Sequence, residues 1–144
     1  MNRNILYLFI VFVFFCLSCP SVQAQDDGEA DPTDNAGLAV RYTFLTQAQA
    51  VRDQDLDLWG LITLPSINLA GQSHEQYDFF LVMLGQAQTD PEAFEAAHDP
   101  ARIQDVVVLG DTAMLYYDDP SGRVVQFNYL WDENLDRWRL SEIW

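Results

Sequence analysis

Residues 103–131 read IQDVVVLGDTAMLYYDDPSGRVVQFNYLW, and this stretch decides the fold. Two runs of β-branched and aromatic residues flank Gly110-Asp111, a dipeptide that favours a tight hairpin turn. The residues DDPSG at 118–122 favour a second turn, and apolar and polar residues then alternate from Arg123 to Trp131 as in a half-buried strand. A third turn over 132–136 leads to a final strand over 137–144. The pattern predicts a four-stranded antiparallel meander.

Helical periodicity precedes these strands. A helix is predicted from Leu38 to about Asp53, because apolar residues recur at the spacing of one helical stripe: Val40, Phe44, Ala48 and Val51. A short second helix or a turn through Trp59 is expected to stop before Pro65, because the residue preceding a proline disfavours helical geometry. Residues 68–72 are expected to form a loop.

Two further helix starts follow this loop. Ser73 and Gln76 have the spacing of a capping box, so a helix is predicted to open at Ser73. Its main apolar face is expected to hold Tyr77, Phe80, Leu81 and Leu84, with Phe79 and Val82 pointing elsewhere. Asp90-Pro91 predicts another start, with aspartate as the cap and proline as the first helical residue. Helices followed by an antiparallel sheet predict an α+β domain, with N-terminal helices packed on a curved four-stranded sheet.

The N-terminal residues are predicted to be a secretory signal peptide over 1–24. Arg3 precedes an apolar run, and small residues then lead to a cleavage site after Ala24. Two alternatives are lipidation at Cys19, which would hold the protein at a membrane, and an uncleaved apolar run that stays as an anchor. Residues 25–37 are acidic and lack large apolar side chains, so a disordered linker is expected there, followed by a single domain over 38–144. We therefore expect an exported protein, periplasmic or extracellular.

The charge of the chain restricts its partners. The formal net charge is −15, and all seven basic residues are arginine. Because phosphate binding needs clustered cations, nucleic acid is not expected as a partner. Both cysteines, Cys16 and Cys19, lie in the predicted signal peptide, so no disulfide is expected in the domain.

No motif in the sequence specifies a reaction, a metal or a cofactor. The acidic triplets that begin at Asp53 and Asp132 resemble the opening of a calcium loop but lack its glycine and its closing glutamate. They are interpreted as a helix cap and a hairpin turn. The two histidines, His74 and His98, have no partner at zinc-ligand spacing, and no serine lies in a nucleophile elbow. We expect no metal and no cofactor.

Three stretches together resemble the nuclear-transport-factor-two-like superfamily, the α+β fold of the ketosteroid isomerases. They are the helical segment that ends in AVRDQDLDLW at 50–59, the segment VVVLGDTAML at 106–115, and Trp138-Arg-Leu140 after an acidic turn. The resemblance spans nearly all of 38–144. It implies a cone-shaped domain whose sheet wraps around the helices, and in the isomerases of this fold an acid and a tyrosine work in the pocket.

Candidate site residues lie on the last two strands. By period two, one face of the last strand holds Trp138, Leu140, Glu142 and Trp144. Glu142 is therefore the candidate general base, beside one of Tyr116, Tyr117 and Tyr129. The candidate ligand wall is aromatic and consists of Phe127, Tyr129, Trp131 and Trp138.

Three functions remain open from the sequence. The first is a non-enzymatic exported domain that binds a small apolar ligand or a cell-envelope protein. The second is an isomerase-like or cyclase-like enzyme that uses Glu142. The third is a structural module in which Phe79 and Val82 form a homodimer.

Overall fold

A computed structural model describes residues 32–144 of the chain, with side chains from residue 35. Its helices are α1 (Pro32–Asp53), α2 (Leu56–Ile62), α3 (Gln76–Thr89) and α4 (Pro91–Ala96), followed by a 3₁₀ turn at Pro100–Arg102. The predicted signal peptide, with Cys16 and Cys19, and the first part of the predicted linker lie outside the described residues. Among the described residues, no helix is both long and apolar enough to cross a bilayer.

Within residues 32–144, six strands form one open sheet. They are β1 (Thr63–Leu69), β2 (Gln72–Glu75), β3 (Ile103–Leu109), β4 (Thr112–Asp118), β5 (Val124–Asp132) and β6 (Arg137–Ile143). The order across the sheet is β2-β1-β6-β5-β4-β3, so β6 is central and pairs with β5 on one side and β1 on the other. The pairs from β3 to β6 are antiparallel, whereas β1 runs parallel to β6.

The predicted α+β class and the C-terminal meander are confirmed, but the predicted number of strands is wrong. Residues 68–72, expected to be a loop, belong to the hairpin of β1 and β2. Pro65 weakens the strand signal of β1 because proline cannot donate to a ladder, and it lies where the register with β6 is irregular. Pairing with the centre of the sheet therefore stabilises a strand that local preference does not predict.

Helix α1 begins earlier than expected. It starts at Pro32 rather than Leu38, so residues 32–37 are helical and not part of a disordered linker. Proline is favoured in a first helical turn because its missing N–H needs no partner there. The predicted stripe is confirmed, since Val40, Phe44, Ala48 and Val51 are all fully buried.

Helix α3 begins later than the sequence suggests. The hydroxyl of Ser73 lies 2.6 Å from that of Ser66 across the β1–β2 hairpin, so it does not cap the helix, which starts at Gln76. The expected helix faces are also wrong in part. Phe79 is buried against Trp59, with ring centroids 5.6 Å apart, whereas Tyr77, Leu81 and Val82 are exposed.

The core lies between α1 and the inner face of the sheet. Phe44 is its aromatic centre, with ring centroids 5.3 Å from Tyr117 and 5.0 Å from Phe127. Leu115, Tyr129 and Leu140 complete this layer and are at most 1% exposed. Bulky side chains therefore fill the space between α1 and the inner face of the sheet.

Candidate functional site

An open groove of about 590 Å³ lies between α1, α2 and the β5–β6 turn. Its apolar wall consists of Tyr42 and Leu45 from α1 and Leu58 and Ile62 from α2. Tyr42 is 73% exposed, whereas Ile62 is 5% exposed, so the wall runs from solvent to the edge of the core. This volume lies within the range of small-molecule sites, which is about 300–1,000 Å³.

Polar groups line the rest of the groove. Thr43 and Thr46 donate their hydroxyl hydrogens to carbonyls one helical turn earlier, at 3.0 and 2.8 Å, and keep lone pairs for a ligand. Asp136 and Arg137 stand at the hairpin end of the groove. Arg137 uses Nε to donate to the Leu135 carbonyl at 3.1 Å, which fixes its guanidinium at the rim. The arrangement suits a mainly apolar molecule with a polar end.

The local sequence fixes the residues at which α2 begins and ends, and this places Leu58 and Ile62 in the wall. The carboxylate of Asp55 accepts a hydrogen bond from the Leu58 amide at 2.9 Å and so starts the helix directly after α1 ends. At the other end, Thr63 donates its hydroxyl to the Trp59 carbonyl at 2.6 Å. Helix α2 is thereby fixed at both termini, and Leu58 and Ile62 face α1 across the groove.

The aromatic residues proposed as a ligand wall lie elsewhere. Tyr129 is fully buried, Trp138 is 4% exposed, and Phe127 packs edge-on against Phe44. Trp131 packs edge-on against Trp138, with ring centroids 5.4 Å apart. None of the four is among the side chains that line the groove. Their ligand-binding role stays a prediction, and the structure brings them together as core.

A buried polar pair lies behind the groove. Gln47 is 4% exposed, and its Oε1 accepts from the Tyr129 hydroxyl at 3.5 Å, while its Nε2 has no partner among the described residues. Burial raises the pKa of Tyr129, so the phenol is held in its neutral form. No sequence motif marked this pair.

Glu142 does not share a face with Leu140, so that expectation is wrong. Asn128 pairs with Glu142 and Tyr129 pairs with Leu140, which leaves Ser141 as an extra residue in β6. A bulge of this kind shifts the alternation of side chains by one position. Glu142 therefore lies on the outer face of the sheet, where Asn128 Nδ2 donates to its Oε2 at 2.8 Å.

Of the tyrosines proposed beside Glu142, two lie on the opposite face. Tyr117 and Tyr129 are buried in the core, and only Tyr116 alternates onto the outer face of the sheet. The role of Glu142 as a general base stays a prediction, and its carboxylate lies outside the groove.

His98 is partly buried and packs against the edge of the core. Its ring stacks with Phe44 and Phe94 at centroid distances of 5.8 and 4.4 Å, and its Nδ1 lies 2.8 Å from the Phe94 carbonyl. Burial lowers the pKa of His98, against the raising effect of that carbonyl, and Arg52 lowers it further.

The acidic triplets have the structural roles that the sequence suggested. Asp55 caps α2, and the carboxylate of Asp132 accepts from the Asn134 and Leu135 amides in the β5–β6 turn. Among the described residues, no three His, Cys, Asp or Glu side chains converge as a metal site.

Sequence reasoning missed the groove because its residues form no motif. A signal was nevertheless present, since Leu38, Tyr42 and Leu45 form a second apolar stripe on α1, outside the one assigned to the core. Leu38 is 63% exposed and Tyr42 is 73% exposed. A helix that packs through one face only does not need large apolar side chains on a second, exposed face. An apolar stripe without a covering element is the feature that would have pointed to this side of α1.

Comparison with known proteins adds a fold name and no activity. No protein-family model matches the chain, and no curated protein matches it. Among solved structures, the chain is similar to an NTF-2-like protein of unknown function from Shewanella oneidensis MR-1. The two share 15% sequence identity with a TM-score of 0.41, over 78% of this chain and 96% of the other. That protein is described as a member of the superfamily that the sequence resembles.

Proposed function

We propose that the domain is a non-enzymatic binding module that takes a small, mainly apolar molecule in the α1–α2 groove. The observation that carries the proposal is the groove itself, in which four apolar side chains of two helices form one wall beside a charged rim. The residues available for chemistry lie elsewhere. Glu142 is on the outer face of the sheet, and the Tyr129 phenol is sealed in the core.

The groove also suggests how the molecule is oriented. Its apolar body contacts Leu45, Leu58 and Ile62, which lie deepest, and Tyr42 covers it from the solvent side. A polar end would lie near Arg137, whose guanidinium is the cation on the rim. A molecule with an aromatic body and an anionic end fits this arrangement, because burial of its body supplies most of the binding free energy and the arginine fixes its direction.

The binding test uses 1-anilinonaphthalene-8-sulfonate, an aromatic body with one sulfonate, and follows its fluorescence as the protein is added. We expect one saturable site. Tyr42→Ser removes the covering ring and is expected to weaken binding about tenfold, which corresponds to about 1.4 kcal/mol. Arg137→Gln is expected to weaken binding of the sulfonate probe but to leave binding of neutral N-phenyl-1-naphthylamine unchanged.

Tyr77→Ser is the matched control, because it is the same substitution of an exposed ring on α3, outside the groove. It is expected to leave the affinity unchanged. Equal loss of affinity in the two tyrosine variants, or a fluorescence rise without saturation, would contradict the proposal.

We also propose that the domain works outside the cytoplasm, on the support of the N-terminal charge and apolar pattern. The mass of the protein purified from cells that express the full chain tests this. A mature N-terminus at Gln25 supports export, a lipid-modified Cys19 supports the anchored alternative, and an intact Met1 contradicts both.

A further inference from the structure

We propose that the outer face of the sheet around Glu142 binds an organic ammonium group. This site is separate from the groove, because the outer face is the side of the sheet opposite α1. The proposal rests on the hydrogen-bonding capacity of a row of side chains across β5, β6 and β1. It does not depend on the function proposed for the groove.

The bulge at Ser141 brings three polar residues into one row. Asn128 pairs with Glu142, and Glu142 pairs with Asn68 on the neighbouring parallel strand, so the three side chains lie side by side on the outer face. Their neighbours along the chain confirm the orientation. Ile67, Leu69 and Ile143 pack on the core side. Without the bulge, Glu142 would have pointed into the core.

Glu142 is held in place and still has an acceptor to offer. Asn128 Nδ2 donates to Glu142 Oε2 at 2.8 Å, and Gln126 Nε2 donates in turn to Asn128 Oδ1 at 2.7 Å. This chain of hydrogen bonds orients the carboxylate. The hydrogen bonds among the described residues supply no donor to Glu142 Oε1, so one carboxylate oxygen is available to a ligand.

Asn68 supplies a second unused acceptor. Its Oδ1 is buried and accepts no hydrogen bond from the described residues. A buried acceptor without a donor is unfavourable, and such atoms are uncommon in folded proteins. The Glu142 carboxylate oxygen is therefore the acceptor that a ligand reaches directly. Asn68 Oδ1, which is buried, would accept a second hydrogen bond once its side chain turns toward the bound ligand.

The charge of the site favours a cation over a neutral donor. None of the ion pairs formed by the described residues involves Glu142. Arg139, the nearest cation along β6, pairs with Asp132 and donates to the carbonyls of Gly60 and Thr63. The net charge of −15 also attracts cations to the surface. An anion would find neither a partner nor a favourable potential here.

Trp144 supplies an aromatic surface beside the row. Its backbone N–H and carbonyl both bond to Gln126 at 2.9 Å, which places it next to the hydrogen-bond chain and, by alternation, on the outer face. Its ring extends to the β1–β2 turn, 3.9 Å from where a Cβ of Gly71 would lie, and the residue is 55% exposed. An indole face attracts ammonium groups through its quadrupole. A carboxylate, a carboxamide oxygen and an indole together suit an alkylammonium.

The test follows the protein by NMR while n-butylammonium chloride is added at low ionic strength. The Trp144 indole N–H and the side-chain amides of Asn68 and Asn128 are the reporters. We expect saturable shifts with butylammonium and none with n-butanol, which has the same chain without the charge. Glu142→Gln is expected to weaken binding about tenfold or more, and Trp144→Leu about threefold.

Glu133→Gln is the matched control, because it removes the same charge from an exposed turn residue. It is expected to leave the affinity within about twofold, since Glu133 lies in the β5–β6 turn, at the other end of β6 from Glu142, and a charge at that distance acts through water of high dielectric constant. Equal weakening in the two glutamate variants would mean that only the general negative potential attracts the cation. That result, or the absence of saturable shifts, would overturn the proposal, and neither result would affect the groove.

Discussion

Arg139 and Asp132 form an ion pair on the outer face of the β5–β6 hairpin, with Nη1 and Oδ2 2.8 Å apart and side chains 13% and 19% exposed. The same guanidinium donates through Nη2 to the carbonyls of Thr63 and Gly60, at 2.6 and 3.0 Å. One side chain thus joins the hairpin to the end of α2 and the start of β1. The pair lowers the pKa of Asp132, because the hydrogen bond from Arg139 stabilises the carboxylate.

Arg139→Lys is expected to lower the free energy of unfolding by about 2 kcal/mol, because three nitrogens of the guanidinium reach the carboxylate and the two carbonyls, and one ammonium nitrogen cannot lie within hydrogen-bonding distance of all of them. Urea denaturation measures the change. Arg123→Lys is the control, since the Arg123 side chain is 83% exposed and its pair with Asp119 is expected to contribute little. Equal stability of the two variants would show that the carbonyl contacts of Arg139 do not stabilise the fold.

Two buried tyrosines are expected to respond differently to loss of the hydroxyl. Tyr117 donates to the Ala96 carbonyl at 3.0 Å, whereas Tyr129 makes one long contact, 3.5 Å, with Gln47. Tyr117→Phe is expected to cost about 1 kcal/mol of unfolding free energy, and Tyr129→Phe less than about 0.5 kcal/mol. Thermal and urea denaturation of the two variants give the comparison, and the reverse order would contradict the assignment of their hydroxyl partners.

Acid is expected to destabilise the domain through His98. Burial lowers the pKa of His98 in the folded state below its ordinary value of 6.5, so the unfolded chain binds the proton more readily. Stability is then present above pH 6.5 and falls as the pH drops below it. Urea denaturation between about pH 8 and pH 5 should show this slope, and His98→Phe should reduce it. His74→Gln is the control and should retain it; a slope unchanged by His98→Phe would contradict the assignment.

Phe79 and Val82, which the sequence placed together on one side of α3, are expected to contribute very different amounts to the free energy of unfolding. Phe79→Ala is expected to cost about 3 kcal/mol of unfolding free energy, because the ring fills space against Trp59. Val82 is 56% exposed, and Val82→Ala is expected to change stability by less than about 0.5 kcal/mol. If Val82→Ala instead lowered stability in a way that depended on protein concentration, the dimer proposed from the sequence would regain support.

The elements that could be predicted are those whose signal is local. The Gly110-Asp111 turn, the Asp90 cap and the buried stripe of α1 each depend on residues close together in the chain, and each is found where predicted. The β1–β2 hairpin escaped prediction because its strand state comes from pairing with β6, far away in the sequence. The helix start predicted at Ser73 is wrong for the same reason, since the Ser73 hydroxyl bonds to that of Ser66 across the hairpin.

The candidate site was harder to predict than the fold. The position of Glu142 depends on a single extra residue, Ser141, and the alternation of apolar and polar side chains in β6 gives no sign of it. The groove depends on the angle between α1 and α2, which tertiary packing sets. Periodicity places a side chain on a face only while the strand stays regular.

The central position of β6 has a consequence for how the molecule folds. β1 comes early in the chain, yet its neighbour in the sheet is the strand that comes last in sequence order. The early hairpin therefore cannot join the sheet until that distant segment has been synthesised, and contacts of such long separation slow folding. A nascent chain of this protein therefore lacks its finished sheet until β6 has been synthesised.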